Sequence, residues 1–102
     1  MADMLKSNPD VNQKFVDFYR QVFKDGALSL KSKELIALAV SLGAGCEPCY
    51  ETHLEKALKL GNTNEEIREA IAVAELVAAG KVRMMVERVE ERGMNSGGCC
   101  CE

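Results

Sequence analysis

Residues 33–42, KELIALAVSL, carry apolar side chains on nearly every face of a helix. Such a helix has no side to present to water, so it belongs at the centre of the fold. Its neighbours read as helices too. Ser29 or Ser32 supplies its N-cap and Gly43 its stop. Upstream, Pro9 suits a first turn, and Val11, Phe15, Phe18 and Val22 recur at helical spacing until Asp25-Gly26 breaks the pattern. Downstream, a third helix begins near Pro48 and ends at Leu60, with Gly61 just past its end. Thr63 and Glu66 form a capping box that opens a fourth over 64–79, NEEIREAIAVAELVAA. Gly80 then interrupts, and a fifth is expected over 81–92, KVRMMVERVEER. No segment alternates with period two, and no repeat is present. The fold class is therefore all-α, a compact bundle of about five helices over residues 1–93. Residues 94–102, MNSGGCCCE, have no periodicity and are expected to be a flexible tail.

A chain of 102 residues makes one domain with a modest core, so oligomerisation is expected to cover the surplus apolar surface. The formal net charge of −3 offers no footprint for nucleic acid. No apolar run approaches the roughly 20 residues of a membrane helix, so no membrane partner is expected. The start, Met-Ala-Asp-Met-Leu-Lys, lacks the basic and apolar parts of a signal peptide, and the expected location is cytoplasmic. The sequence holds five cysteines. In a reducing compartment a C-x-x-C pair points to catalysis or metal binding rather than to a structural staple.

That pair is Cys46 and Cys49, followed by His53, the one histidine in the sequence. On a helix starting at Cys46 or Glu47 the three fall on a single stripe. Both thiols then sit at or near a helix N-terminus, where the dipole and free N–H groups favour a thiolate. His53, one turn past Cys49, can accept its proton, which is how an activated cysteine is built. Glu34 stands at the head of the apolar run, where a carboxylate needs a partner. The short Gly43-Ala-Gly45 link should fold the second and third helices antiparallel. At about 1.5 Å per residue, Glu34 then comes level with residues 53–56. The order Glu34–His53–Cys is a proton relay.

Glu34, eleven intervening residues, then Cys46-x-x-Cys49-x-x-x-His53 resembles the signature of the AhpD-like alkylhydroperoxidases of the carboxymuconolactone decarboxylase superfamily. The surrounding LSLKSKELIALAVSLGAGCEPC is similar to that family's helix-turn-helix segment. The resemblance implies an all-α, AhpD-like fold assembled as a homo-trimer or homo-hexamer. It implies a peroxidase and disulfide oxidoreductase with no cofactor and no metal. Cys49 would attack the hydroperoxide substrate, Cys46 would resolve the sulfenic acid, and His53 and Glu34 would relay protons. A dithiol donor, lipoyl-bearing or thioredoxin-like, would restore the pair. Glu47-Pro48 stands between the cysteines, where family peroxidases often carry a histidine.

Other readings of the same residues remain open at this level. Cys46, Cys49 and His53, with Glu34 as a fourth ligand, could hold zinc in a metal-binding or redox-sensing module without turnover. His53 could be a core histidine, Glu34 an ordinary first-turn acid, and Tyr50 a packing residue beside the site. Cys99, Cys100 and Cys101 could bind soft metals or exchange disulfides with the pair.

Overall fold

A computed structural model describes residues 7–93, and these form four α-helices and no strand. They are α1 (Pro9–Val22), α2 (Leu30–Ala44), α3 (Glu47–Lys59) and α4 (Asn64–Glu91). The expected tail, 94–102, lies outside the described residues.

Local chemistry sets most boundaries. Asn8 accepts a hydrogen bond from the Val11 amide, and Pro9 opens α1. Ser29, not Ser32, caps α2 by accepting from the Ser32 amide at 3.1 Å. The helix passes through Gly43 and ends at Ala44, and Gly45 takes the left-handed position, φ +70°. Gly43 is therefore not the stop that the sequence suggests. Only the later glycine stands where a Cβ would be strained. The Gly45 amide returns to the Leu42 carbonyl and the Cys46 amide to that of Ser41, a Schellman motif. The same motif ends α3, with Gly61 at φ +95° and the Asn62 amide on the Ala57 carbonyl at 3.1 Å. The Asn62 side chain, buried, donates to the Lys31 carbonyl and so ties the α3–α4 turn to the start of α2. Thr63 and Glu66 form the expected capping box.

The fifth expected helix is the continuation of the fourth. Gly80 sits inside α4, which runs on for 28 residues, about 42 Å at the usual rise. A mid-helix glycine costs roughly 1 kcal/mol against alanine, too little to break a ladder flanked by good helix formers.

The described chain is also not the compact bundle expected. Its radius of gyration is 19.7 Å, against about 13 Å for a compact domain of this length. The core is small: Leu38 of α2, Ala57 of α3 and Ile67 of α4 are buried where those helices meet. Helix α2 packs on both α3 and α4, as its apolar surface requires. The apolar stripe of α1 lies open, with Phe15 and Phe18 more than half exposed, and so do Val73, Leu76 and Val77 of α4. No helix among the described residues is long and apolar enough to cross a membrane.

Candidate active site

The C-terminal motif of α2 delivers the first cysteine. Because its amide is tied to Ser41, Cys46 is held in extended conformation, φ −102°, as the N-cap of α3. Its carbonyl accepts from the Tyr50 amide at 3.0 Å and starts that helix, with Pro48 in the first turn. Cys49 follows within that turn. The two Cα atoms are 5.3 Å apart and the sulfurs are joined in a disulfide. The pair is thus a disulfide at the N-terminus of a helix.

One turn further on, His53 meets Glu34. Its Nδ1 lies 2.7 Å from Glu34 Oε1. The carboxylate, 3% exposed, has been taken out of water and the imidazole is its hydrogen-bonding partner. A carboxylate only accepts, so pairing with an ionised Glu34 puts the ring proton on Nδ1 and leaves Nε2 free to take another. The α2–α3 pair thus joins Glu34 to His53, one turn past the Cys46–Cys49 disulfide.

The sequence reading missed an aromatic wall on the base. Phe23 stacks on the His53 ring with centroids 5.3 Å apart and planes at 14°. Tyr19 stacks on Phe23 in turn, at 4.7 Å. Two lysines hold this wall. Lys56 Nζ donates to the Tyr19 hydroxyl at 2.7 Å, and that hydrogen bond, helped by the charge of Glu34, raises the Lys56 pKa against the opposing effect of burial. Lys33 Nζ donates to the carbonyls of Val22 and Lys24, at 2.8 and 2.7 Å, and closes the end of α1. The i, i+4 spacing of Tyr19 and Phe23, one position off the Val11–Val22 stripe, was the available signal.

Cys46, Cys49 and His53 border a cavity of about 490 Å³ with apolar walls from Phe23, Leu28, Ile36 and Val40. A second, smaller cleft of about 250 Å³ lies between the end of α2 and the first turn of α3. It is bordered by Ser41, Leu42, Gly45, Cys46, Glu47 and Tyr50. Among the described residues no three His, Cys, Asp or Glu side chains are disposed to hold a metal ion. The sulfurs are bonded to one another and His53 Nδ1 to Glu34.

The carboxymuconolactone decarboxylase family model matches residues 9–89, which span nearly all of the four helices. The chain belongs to the carboxymuconolactone decarboxylase family. It is 38% identical over 80 residues to the "uncharacterized protein 4 in cox locus" of Paracoccus denitrificans, covering 78% of this chain and 72% of that one. A solved structure from Methanobacterium thermoautotrophicum superposes with a TM-score of 0.79 at 35% identity, covering 84% of this chain and 97% of that chain. A carboxymuconolactone decarboxylase family protein of Thermotoga maritima, put forward as a candidate for involvement in an antioxidative response, superposes with a TM-score of 0.62 at 32% identity. That match covers 85% of this chain and 95% of the Thermotoga one. The family fold is AhpD-like, as the motif implies.

Proposed function

We propose that this family member is a thiol peroxidase that reduces organic hydroperoxides through its Cys46–Cys49 pair and takes its electrons from a dithiol donor. The observation that carries the reading is the disulfide-bonded Cys46–Cys49 pair at a helix N-terminus, one turn from a histidine bonded to a buried glutamate. His53 Nε2 takes the Cys49 proton, helped by the helix dipole. The thiolate attacks the terminal peroxide oxygen. The O–O bond breaks, the alkoxide collects the proton from His53 and leaves as alcohol, and Cys49 becomes a sulfenic acid. Cys46 then attacks Cys49, water departs, and the disulfide present in the structure results. A lipoyl-type or thioredoxin-like dithiol supplies two electrons and two protons to restore both thiols. Glu34 steadies the imidazolium that forms in each turnover.

The Thermotoga maritima relative's link to an antioxidative response accords with this chemistry. The same reading makes the chain a cytoplasmic homo-oligomer, trimeric or hexameric. The uncovered stripes of α1 and α4, together with a groove of about 510 Å³ between Val40, Gly43, Val73 and Val77, provide apolar surface for copies to bury. The test is consumption of cumene and tert-butyl hydroperoxide with dihydrolipoamide or reduced thioredoxin as donor. Turnover that is lost in Cys49→Ser and in Cys46→Ser supports the proposal. Turnover that survives both substitutions excludes it.

A further inference from the structure

Two openings are bordered by residues of the Cys46–Cys49 pair. The large apolar cavity is bordered by both cysteines and by His53. The smaller cleft is bordered by Cys46 alone of the pair, with Leu42, Glu47 and Tyr50 around it. Gly45 borders that cleft without a side chain. Its positive φ excludes ordinary side chains, and a Cβ there would meet no atom within 4 Å. Disulfide exchange needs access to one sulfur along the S–S axis, and the other sulfur leaves as a thiolate. The leaving sulfur departs faster the better its negative charge is stabilised.

We infer that the site is two-sided: peroxide enters by the large cavity and reacts at Cys49, while the reducing dithiol enters by the small cleft and attacks Cys46. This rests on the peroxidase reading for its first half only. In the reductive step one donor thiolate forms a bond to the Cys46 sulfur, and the Cys46–Cys49 bond breaks. Cys49 leaves as a thiolate, one helical turn from His53 and facing the cavity where the next peroxide arrives. The donor's second thiol, as its thiolate, then attacks the donor sulfur of the mixed disulfide and expels Cys46. The donor ends as a disulfide, having given up two electrons, and the protein ends as a dithiol with the two protons. The spatial separation lets the organic group of a peroxide occupy the apolar cavity without blocking the donor. It also explains why Cys46, fixed by the Ser41 carbonyl on its amide, borders both openings.

The experiment measures the two half-reactions separately. The disulfide is formed with diamide, so that no peroxide chemistry is needed, and its reduction by dithiothreitol is timed. Oxidation of the reduced protein by cumene hydroperoxide is timed independently. Leu42→Trp fills the cleft and is absent from the cavity lining; Ile36→Trp fills the cavity and is absent from the cleft. Leu42→Trp should slow reduction about tenfold or more and leave oxidation within about twofold, with the pattern reversed in Ile36→Trp, because exchange rates follow access to the attacked sulfur. Unchanged reduction in Leu42→Trp, or equal slowing of both half-reactions, overturns the inference. The wild type gives a second, fold-independent readout. The diamide-oxidised protein is treated with 2-mercaptoethanol, quenched with iodoacetamide and mapped by mass spectrometry. The thiol adduct is expected on Cys46 and the alkyl group on Cys49, and the opposite pattern overturns the assignment. If peroxide is not consumed but reduction still shows this pattern, the peroxidase reading and the first half of the inference fail, and the entry of the donor at Cys46 by the small cleft stands.

Discussion

Replacing Glu34 by Gln tests the relay at its least exposed member. Glutamine keeps the shape and one acceptor oxygen, so the α2–α3 packing should persist while the charge is lost. Glu34 is 3% exposed and lies 2.7 Å from His53 Nδ1, a geometry in which the hydrogen bond becomes charge-assisted once the imidazole takes the Cys49 proton. Such bonds contribute roughly 1.5–3 kcal/mol. At about 1.4 kcal/mol per factor of ten, the substitution should slow alkylation of reduced Cys49 at pH 7 by roughly 10- to 150-fold. His53→Gln should fall within the roughly 10²–10⁴-fold range of a lost general base. The double variant should cost little more than the worse single one, because the two residues act as a unit. Above about pH 9 an ordinary thiol ionises without help, so all four rates should converge there. The assay is the iodoacetamide rate at Cys49 against pH, read by mass spectrometry. Four superimposable profiles would refute the relay and leave Glu34 and His53 as packing residues.

Leu38→Ala removes the fully buried side chain at the junction of α2, α3 and α4, and should cost about 2–5 kcal/mol in chemical denaturation. Lys33→Met removes the two bonds to the Val22 and Lys24 carbonyls; faster amide hydrogen exchange at the end of α1 and slower Cys49 alkylation are expected together, since Phe23 is then less firmly seated on His53. Thr63→Ala should cost about 1 kcal/mol, the usual effect of losing an N-cap. Glu66 accepts from the Thr63 amide, and that bond lowers its pKa below the ordinary 4.5. A depressed folded-state pKa stabilises above the ordinary value and ceases to do so as pH falls through the folded one. The stability difference between wild type and Glu66→Ala should therefore be present at pH 7 and shrink as pH falls below 4.5 in urea titrations.

The parts legible in the sequence were those written locally. A cap at Ser29 or Ser32, the cap at Thr63, the turn at Gly61, and the spacing from Glu34 through Cys46 and Cys49 to His53 fix where the elements start, stop and face. The Glu34–His53 contact followed from helix rise and one short link, because two antiparallel helices leave little freedom. What was not legible depends on competition or on distance. Gly80 reads as a break, yet its penalty is small beside 28 residues of continuous helix. Gly43 reads as a stop, yet it lies within α2 and only Gly45 takes the positive φ. The Lys33 clamp joins a side chain to carbonyls nine and eleven residues away, and the Lys56–Tyr19 bond spans 37 residues. Neither leaves a periodic trace. The stripe Val11–Phe15–Phe18–Val22 marks α1 as amphipathic, and in this chain that stripe lies exposed. Amphipathicity states that a face seeks cover, not which molecule covers it.

The central claim is that Cys46 and Cys49 pass two electrons to a hydroperoxide. Its most direct measurement is a titration of the fully reduced protein with cumene hydroperoxide under argon, followed by mass spectrometry of the alkylated peptides. One equivalent of peroxide should convert the pair stoichiometrically into the Cys46–Cys49 disulfide with release of cumyl alcohol. The same titration of Cys46→Ser should stop at a dimedone-reactive sulfenic acid on Cys49. Peroxide left unconsumed while both thiols remain alkylatable would contradict the account.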